Sequence, residues 1–450
     1  MIHNNRYRPL KFIAISIFLL LPFTPLKAQN VKNISLQQAI ELSVKSSKKL
    51  KIANAKIDEA IANYHIAQDN RLPDLKASGT YMRLNSPDVN LKIKLGSSQA
   101  KPISVNEVSY ASVNLSIPVF AGFKIKYGIE SAKYLEMATK LDADNDKEEL
   151  IQTIINAYCN LYKAKKTVDL IKENLKQQEK RVTDFSNLEK NGLLARNDLL
   201  KAQLQKSNIE LTLLDAENNL KITNINMDLL LDMPEDVDLI PDTMSFHDIS
   251  YTGTVIEWED KAFHNRKDME SITYKEKAAL VGIKATKSDY FPGLAVTGGL
   301  IEANIPGLLT ISNAANIGVG LQYNFASLWK TSAKVAASKA REQQVLENQN
   351  MLADQIRMQI NQAYENYILN TRKIDVYNVA LDQAMENYRI SRNKYNNSLL
   401  TLTDLLEADV AQLQAKLNFT FAQADAFVAY KKLQQTAGLL TGNYIQTNKK

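Results

Sequence analysis

Two short segments of the chain alternate strictly between apolar and polar side chains. Apolar or small residues occupy every second position from Ser109 to Val119 and again from Ile317 to Phe325. A period of two is the repeat of a β-strand with two unlike faces. The same pattern fits a half-buried sheet in a soluble protein and a membrane barrel with lipid outside and water inside.

Each alternating segment is followed by a long helical pattern. In residues 125–189 and 330–395, apolar side chains recur three and four positions apart, which is the spacing of one helix face. A helix of about 65 residues extends roughly 100 Å, far beyond an ordinary globular helix. Shorter helical patterns flank these segments, and their lengths allow two half helices to stack end to end, antiparallel to each long helix: 35–70, 198–231, 254–290 and 404–440.

One turn motif occurs twice in the sequence. Residues 192–200 reappear as residues 398–406, and the offset of 206 also relates Tyr158 to Tyr364. An offset held through helix and strand indicates a duplicated architecture. We therefore expect an internal two-fold repeat, in which each copy has a β-hairpin at one end of a long helix and a tight turn, the tip, at the other.

The offset changes once along the chain. The half helices end at Pro73 and Pro292, which are 219 positions apart, so the loop of the first β-hairpin should contain about thirteen extra residues. The predicted organisation is a signal peptide (1–28), repeat 1 (29–232, β-hairpin 76–119, tip 190–200), a linker (233–253), repeat 2 (254–440, β-hairpin 294–325, tip 396–406) and a flexible tail (441–450).

The N-terminus predicts export from the cytoplasm. Arg6, Arg8 and Lys11 precede an apolar run at 12–21, and Ala28 offers a cleavage site, which is typical of a secretory signal peptide. The run is short for a membrane span, so an uncleaved anchor is the weaker alternative. No cysteine lies near the cleavage site, and lipid modification is not expected.

Composition argues against several classes of function. The net charge of +6 over 450 residues includes no basic block, so no nucleic-acid partner is expected. Cys159 is the single cysteine and has no partner for an internal disulfide. The four histidines are scattered and no catalytic or phosphate-loop motif is present, so we expect no enzyme activity, no metal site and no cofactor.

The strand count has a consequence for assembly. Two strands per repeat give four per chain, and open sheet edges cannot face lipid. Membrane barrels begin near eight strands. If the strands enter a membrane, the chain must form oligomers, and three copies would supply twelve strands.

Several of these segments together resemble the TolC family of outer-membrane efflux channels. They are the strand exit at 115–122, its degenerate partner at 321–325 and the two tips, in the family's order. The resemblance implies a mainly α fold with a membrane β-barrel part, completed in a homotrimer as a barrel of twelve strands and a long periplasmic barrel of twelve helices. It further implies a passive exit duct in the outer membrane, in contact with lipid, that works with a periplasmic adaptor and an inner-membrane pump.

Two other classes of protein remain as alternatives. A periplasmic adaptor also has a long α-hairpin, but one hairpin between β-domains rather than two at a fixed offset. A secreted coiled-coil structural protein would leave the alternating strands and the proline-ended half helices without a role.

The second tip contains the candidate entrance residues. The resemblance implies that Asp404 and Glu407 line the closed periplasmic entrance, where rings of three carboxylates would favour cations. The local alternative is that Asp404 caps the returning helix and Glu407 completes a capping box.

Further polar residues are candidates for links that hold the entrance shut. Asp198 and Tyr395 match family positions that take part in such links, although a helix-start aspartate and a packing tyrosine explain them nearly as well. Some members have an arginine where this chain has Leu400, and Arg196 of the other tip is the candidate substitute.

Apolar pairs beside the two tip turns suggest a partner surface, because leucines at a solvent-facing turn are otherwise unexplained. The resemblance implies docking of adaptor hairpins here, and packing between neighbouring hairpins is the alternative. The residues concerned are Gly192, Leu193, Leu194, Ser398, Leu399 and Leu400.

Overall fold

A computed structural model describes residues 30–85, 105–242 and 253–444 of a mainly helical chain. The predicted signal peptide, most of the first β-hairpin loop and most of the predicted tail lie outside the described residues. The elements are β1 (Asn30–Ile34), α1 (Leu36–Ser46), α2 (Lys48–Asp69), β2 (Asp74–Arg83), β3 (Glu107–Ala121), α3 (Lys124–Lys190), α4 (Arg196–Leu231), β4 (Val237–Pro241), α5 (Val255–Asn265), α6 (Lys267–Lys287), β5 (Gly293–Ile305), β6 (Leu309–Gln322), α7 (Ser327–Asn396), α8 (Leu402–Thr436) and α9 (Leu440–Tyr444).

Four strands form one antiparallel sheet in the order β2-β3-β5-β6. Both alternating segments are strands, although β6 ends at Gln322, before the predicted end at Phe325. Ile317, Val319 and Leu321 lie on one face of β6 and are 70 to 86% exposed. The sheet therefore has an outward apolar row on its last strand.

The two long helices have nearly the predicted bounds, with 67 residues in α3 and 70 in α7. Each extends about 100 Å from the sheet to a tip. The helices α2, α4 and α6 lie along α3, and α5, α6 and α8 lie along α7. Within the described ranges, no helix is both long enough and apolar enough to span a bilayer.

The two half helices before the strands are broken, contrary to the prediction of single helices at 35–70 and 254–290. The first break is at Ser47, whose non-helical backbone places its side chain as the acceptor for the N–H of Leu50. The second is at Arg266, which has extended backbone angles. A serine or an arginine inside an apolar helical pattern gives no strong stop signal, so periodicity alone missed both breaks.

Half helices meet end to end, as predicted. In the first half of the chain, the hydroxyls of Ser43 and Ser46 on α1 donate to the carbonyls of Leu230 and Leu231 at the end of α4, at 3.1 and 3.2 Å. In the second half, Arg266 donates to the carbonyl of Thr436 in α8 at 3.1 Å.

Two tyrosines at matching positions attach these junctions to the middles of the long helices. Tyr158 donates to the carbonyl of Ile34 at 2.9 Å, and Tyr364 donates to the carbonyl of Gly253 at 3.1 Å. Each carbonyl belongs to the residue just before a half-helix N-cap. The partners are 124 and 111 positions apart, so the spans differ by the 13 residues expected from the offset.

The segment predicted as a linker, 233–253, contains a strand. β4 pairs in parallel with β1, and the side chain of Asn224 holds β4 by accepting from Leu239 N and donating to Val237 O. A five-residue strand separated from its partner by about 200 residues has no local sequence signal. The largest buried cluster surrounds this small sheet and includes Ile40, Ile151, Ile154, Ile155, Tyr158, Leu161 and Met227.

Candidate functional site at the helical tips

Both tips are built by the same turn. Gly192 and Ser398 have positive φ angles of 71 and 60°. The next residue in each tip donates back into the long helix, Leu193 to Leu188 at 2.9 Å and Leu399 to Lys394 at 2.8 Å. This is the hydrogen bond of a Schellman turn, for which glycine is preferred because it adopts a left-handed backbone without steric cost.

One leucine of each predicted apolar pair is exposed. Leu193 and Leu399 are both 74% exposed. Leu400 is half-buried, and Leu194 packs against the tip cluster, which we define as Phe185, Leu199, Ala202, Leu402 and Leu405. The expectation that both residues of each pair are exposed is therefore wrong, because the chain turns back toward the helices at the second leucine.

The alternative that Asp404 caps the returning helix is wrong. Thr401 is the N-cap of α8, accepting from Asp404 N at 3.3 Å, and its hydroxyl donates to the Asp404 carboxylate at 2.6 Å. Asp404 is thus the third residue of the helix. Asp404 and Glu407 are both exposed, so both carboxylates are available to solvent beside the second tip.

A groove of about 690 Å³ separates α4 from α8 just above the tips and is lined by Leu204, Leu406 and Glu407, among others. Lys201 lies at its rim, 3.8 Å from the Asp198 carboxylate and 3.4 Å from the Thr403 hydroxyl of the other tip. Sequence reasoning missed Lys201 as a contact between the two tips, because Thr403 is 202 positions away along the chain.

Tyr395 of the second tip feels the charge of Asp198 in the first. The Tyr395 ring packs against Phe185, with ring centroids 5.9 Å apart. Burial raises the pKa of the Tyr395 phenol, the Asp198 carboxylate raises that pKa further and Arg181 lowers it. Arg196 instead faces its own hairpin, 3.6 Å from Glu189, and is mostly exposed.

Sequence reasoning missed a buried polar cluster above the tips. Asp409 on α8 accepts from Arg181 at 3.0 Å, from Asn174 at 3.2 Å and from Gln178, all on α3. Arg181 also donates to the hydroxyl of Tyr388 on α7 at 3.2 Å. The cluster, called here the Asp409 cluster, links the first helical hairpin to both helices of the second.

No group of three or more histidine, cysteine, aspartate or glutamate side chains within the described ranges is arranged to hold a metal ion. The chemistry of the tips is therefore that of exposed carboxylates, exposed leucines and interhelical polar contacts. Such a surface can attract cations and contact other helices.

Residues 39–231 match the family model of the outer membrane efflux proteins. This part of the chain is an outer membrane efflux protein domain. The sequence is also similar to Toxin and drug export protein A of Aggregatibacter actinomycetemcomitans, 21% identical over 429 residues that cover 87% of this chain and 85% of the relative. It is 20% identical over 441 residues to the outer membrane efflux protein BepC of Brucella suis biovar 1, covering 96% of this chain and 91% of BepC.

Solved structures of outer membrane proteins share the fold. The CmeC outer membrane channel of Campylobacter jejuni superposes with a TM-score of 0.76 at 17% identity, covering 90% of this chain and 86% of CmeC. The outer membrane protein VceC of Vibrio cholerae gives a TM-score of 0.72 at 17% identity, covering 90% and 96%. The predicted resemblance to the TolC family is confirmed, and these relatives indicate an outer membrane location for the family.

Proposed function

We propose that the protein is the channel-tunnel of a tripartite efflux or secretion system, a passive trimeric exit duct in the outer membrane. Three copies of a duplicated chain would form a barrel of twelve strands that continues into a barrel of twelve helices. The chain would be exported by its signal peptide without lipidation. It would dock a periplasmic adaptor and, through it, an inner-membrane transporter that supplies energy and selectivity.

The observation that carries this proposal is the four-stranded sheet with two open edges. Among the described residues, β2 and β6 each pair on one side only, every residue of β2 is exposed, and β6 has an exposed apolar row. An open, apolar edge invites pairing with another chain. Lipid tolerates strands only where all edges are paired, which three copies of this sheet would achieve.

The helices support the duct over the two alternatives. The described chain has two long hairpins, α3 with α4 and α7 with α8, whereas an adaptor has one between β-domains. Both long helices begin at the sheet and end at a tip about 100 Å away. The secreted coiled-coil alternative does not explain why both long helices begin at the same sheet.

The tips support a role in gating and docking. We propose that Asp404 and Glu407 form acidic rings at the entrance and that Asp198, Tyr395 and Arg196 take part in the polar contacts around it. Lys201, which links Asp198 to Thr403, is added to that set. The adaptor would dock on the exposed Leu193 and Leu399, with Leu194 and Leu400 packing behind them and Gly192 and Ser398 forming the turns.

Conductance in planar bilayers tests the proposal. The purified protein should have the mass of a trimer, which is somewhat below three times 50.6 kDa once the signal peptide is removed, and should open single channels. Asp404→Asn with Glu407→Gln should reduce the preference for cations and the block by multivalent cations. Asp375→Asn, which changes an exposed acid on α7 about 20 residues before its end at the tip, should leave both unchanged. A monomer without conductance would refute the duct, and unchanged selectivity in the double variant would refute the entrance role.

A further inference from the structure

A cavity of about 470 Å³ lies where the sheet meets the long helices. It is distinct from the tips and from the groove between α4 and α8. Its walls come from the starts of α3 and α7, the end of the α6 segment and the adjoining ends of the strands. The lining residues used below are Lys124, Asp289, Ser327, Lys330, Thr331 and Lys334.

The collar cavity, as we call it, carries excess positive charge. Lys124 and Lys334 contact opposite oxygens of Asp289, at 2.8 and 2.9 Å. The hydrogen bond from Lys124, followed by that from Lys334, lowers the pKa of Asp289, so this carboxylate is charged at neutral pH. Lys330 forms no ion pair with any described residue, and three ammonium groups against one carboxylate leave two positive charges without a counterion.

Two of the residues that line this cavity have buried hydroxyls without partners. Thr331 is fully buried and Ser327 is 8% exposed. Neither hydroxyl has a hydrogen-bond partner within the described part of the chain. Buried polar groups are normally paired, and an exception calls for an explanation such as a bound group. A ligand with several acceptor oxygens would satisfy both.

The backbone adds a favourable field. Ser327 is the first residue of the 70-residue helix α7, which has alanine as its N-cap and hence no side-chain cap. The positive end of the helix dipole attracts anions. The N–H groups of Ser327 and Leu328 already donate to the carbonyls of Asn324 and Phe325, so the side chains, not these amides, would make the direct contacts.

We infer that the collar cavity binds a phosphate group, supplied by a phospholipid headgroup or by free phosphate. Lysines and hydroxyls donate hydrogen bonds that phosphate oxygens can accept. The Asp289 carboxylate should not repel the phosphate strongly, because two lysines already neutralise it. Phe291 lines the cavity, and Phe325 and Trp329 adjoin its lining residues in sequence. All three are exposed, as aromatic side chains are at a membrane interface. The suggestion that a phospholipid supplies the phosphate rests on the proposed membrane position of the sheet, whereas the phosphate site itself does not.

The test uses the full-length, detergent-purified trimer after delipidation. Calorimetry measures binding of inorganic phosphate, and native mass spectrometry measures retention of phosphatidylglycerol. The variant Lys330→Gln/Lys334→Gln should weaken binding at least tenfold. Thr331→Val should also weaken it while folding normally, because it removes a buried hydroxyl that has no partner. Thr371→Val and Lys373→Gln, further along α7, are the matched controls.

Binding of inorganic phosphate without lipid identifies a free-phosphate site, and retained phosphatidylglycerol that phosphate does not displace identifies a headgroup site. Binding of neither, or binding that the cavity variants leave unchanged, overturns the inference. Conductance of the same samples separates the two proposals. A conducting trimer that binds no phosphate overturns the phosphate site alone, and a protein that binds phosphate without conducting overturns the duct alone.

Discussion

The Asp409 cluster should be a principal clamp between the two helical hairpins of one chain. Its ion pair is buried, with side chains 2% exposed at Asp409 and 11% exposed at Arg181. Removing one partner of such a pair leaves a charge buried without compensation, which costs about 3–5 kcal/mol. We therefore expect that penalty for Asp409→Leu alone and for Arg181→Met alone.

Removing both charges should be far less costly than either single change. Buried pairs are often replaced by apolar side chains at little net cost. Here Asn174 and Gln178 would still lose their acceptor, so we expect the double variant to recover at least half of the loss. The positive coupling energy of this cycle is the signature of a clamp.

Hydrogen exchange measures the effect where it arises. A loss of about 3–5 kcal/mol should speed amide exchange in the first turns of α8 by roughly 10² to a few times 10³, since each 1.4 kcal/mol is tenfold. Asp354→Asn is the control, because it breaks a 2.9 Å pair with Arg357 whose side chains are 77 and 58% exposed, and such pairs contribute about 1 kcal/mol or less. If Asp409→Leu has no larger effect than this control, or if the double variant is no better than the worse single, the reasoning fails.

Three further predictions concern single positions. Burial, followed by the nearby carboxylates of Asp238, Asp236 and Glu235, raises the pKa of Asp228 to about 6. The folded protein should therefore lose stability as the pH rises through 6. Asp228→Asn should raise the melting temperature at pH 8 more than at pH 5, and equal shifts at the two pH values would contradict this. Gly122 has a φ of +60°, and an added Cβ would lie 2.5 Å from the Ser288 carbonyl oxygen, so Gly122→Ala should lower the free energy of unfolding by about 1–3 kcal/mol. An added Cβ at Gly128 would meet no atom, so Gly128→Ala should raise that free energy by about 0.5–1 kcal/mol. Denaturant unfolding measures both. Ser398→Gly should slow local exchange at the second tip by removing a left-handed strain of about 1–2 kcal/mol, and a faster exchange would argue that the serine side chain stabilises the turn.

Long-range periodicity made much of the fold predictable. The stripe through Ile151, Ile155 and Tyr158 is buried as expected, and a pattern repeated over 65 residues tolerates a few exceptions. Breaks at Ser47 and Arg266 were missed because each depends on one residue and on the neighbouring helix end. The pairing of β1 with β4 was missed because its partners are distant in sequence.

The tips were predicted in outline, whereas their polar contacts were not. The duplicated turn indicated where the chain reverses. The Asp409 cluster gave no signal, because polar residues spaced along α3, such as Asn174 and Gln178, normally indicate a solvated face. Only the arrangement of three helices around them shows that this face is buried.

The hydrogen bonds from Tyr158 and Tyr364 bear on how the two ends of this chain can change. Each one attaches the start of a half helix to the midpoint of a long helix, although the segments between the bonded residues differ by 13 residues in length. The helices are therefore fixed relative to one another at mid-length. A change of loop length at the sheet end does not alter how they are aligned at the tip. The loops at the sheet end and the turns at the tips can diverge independently in such a chain.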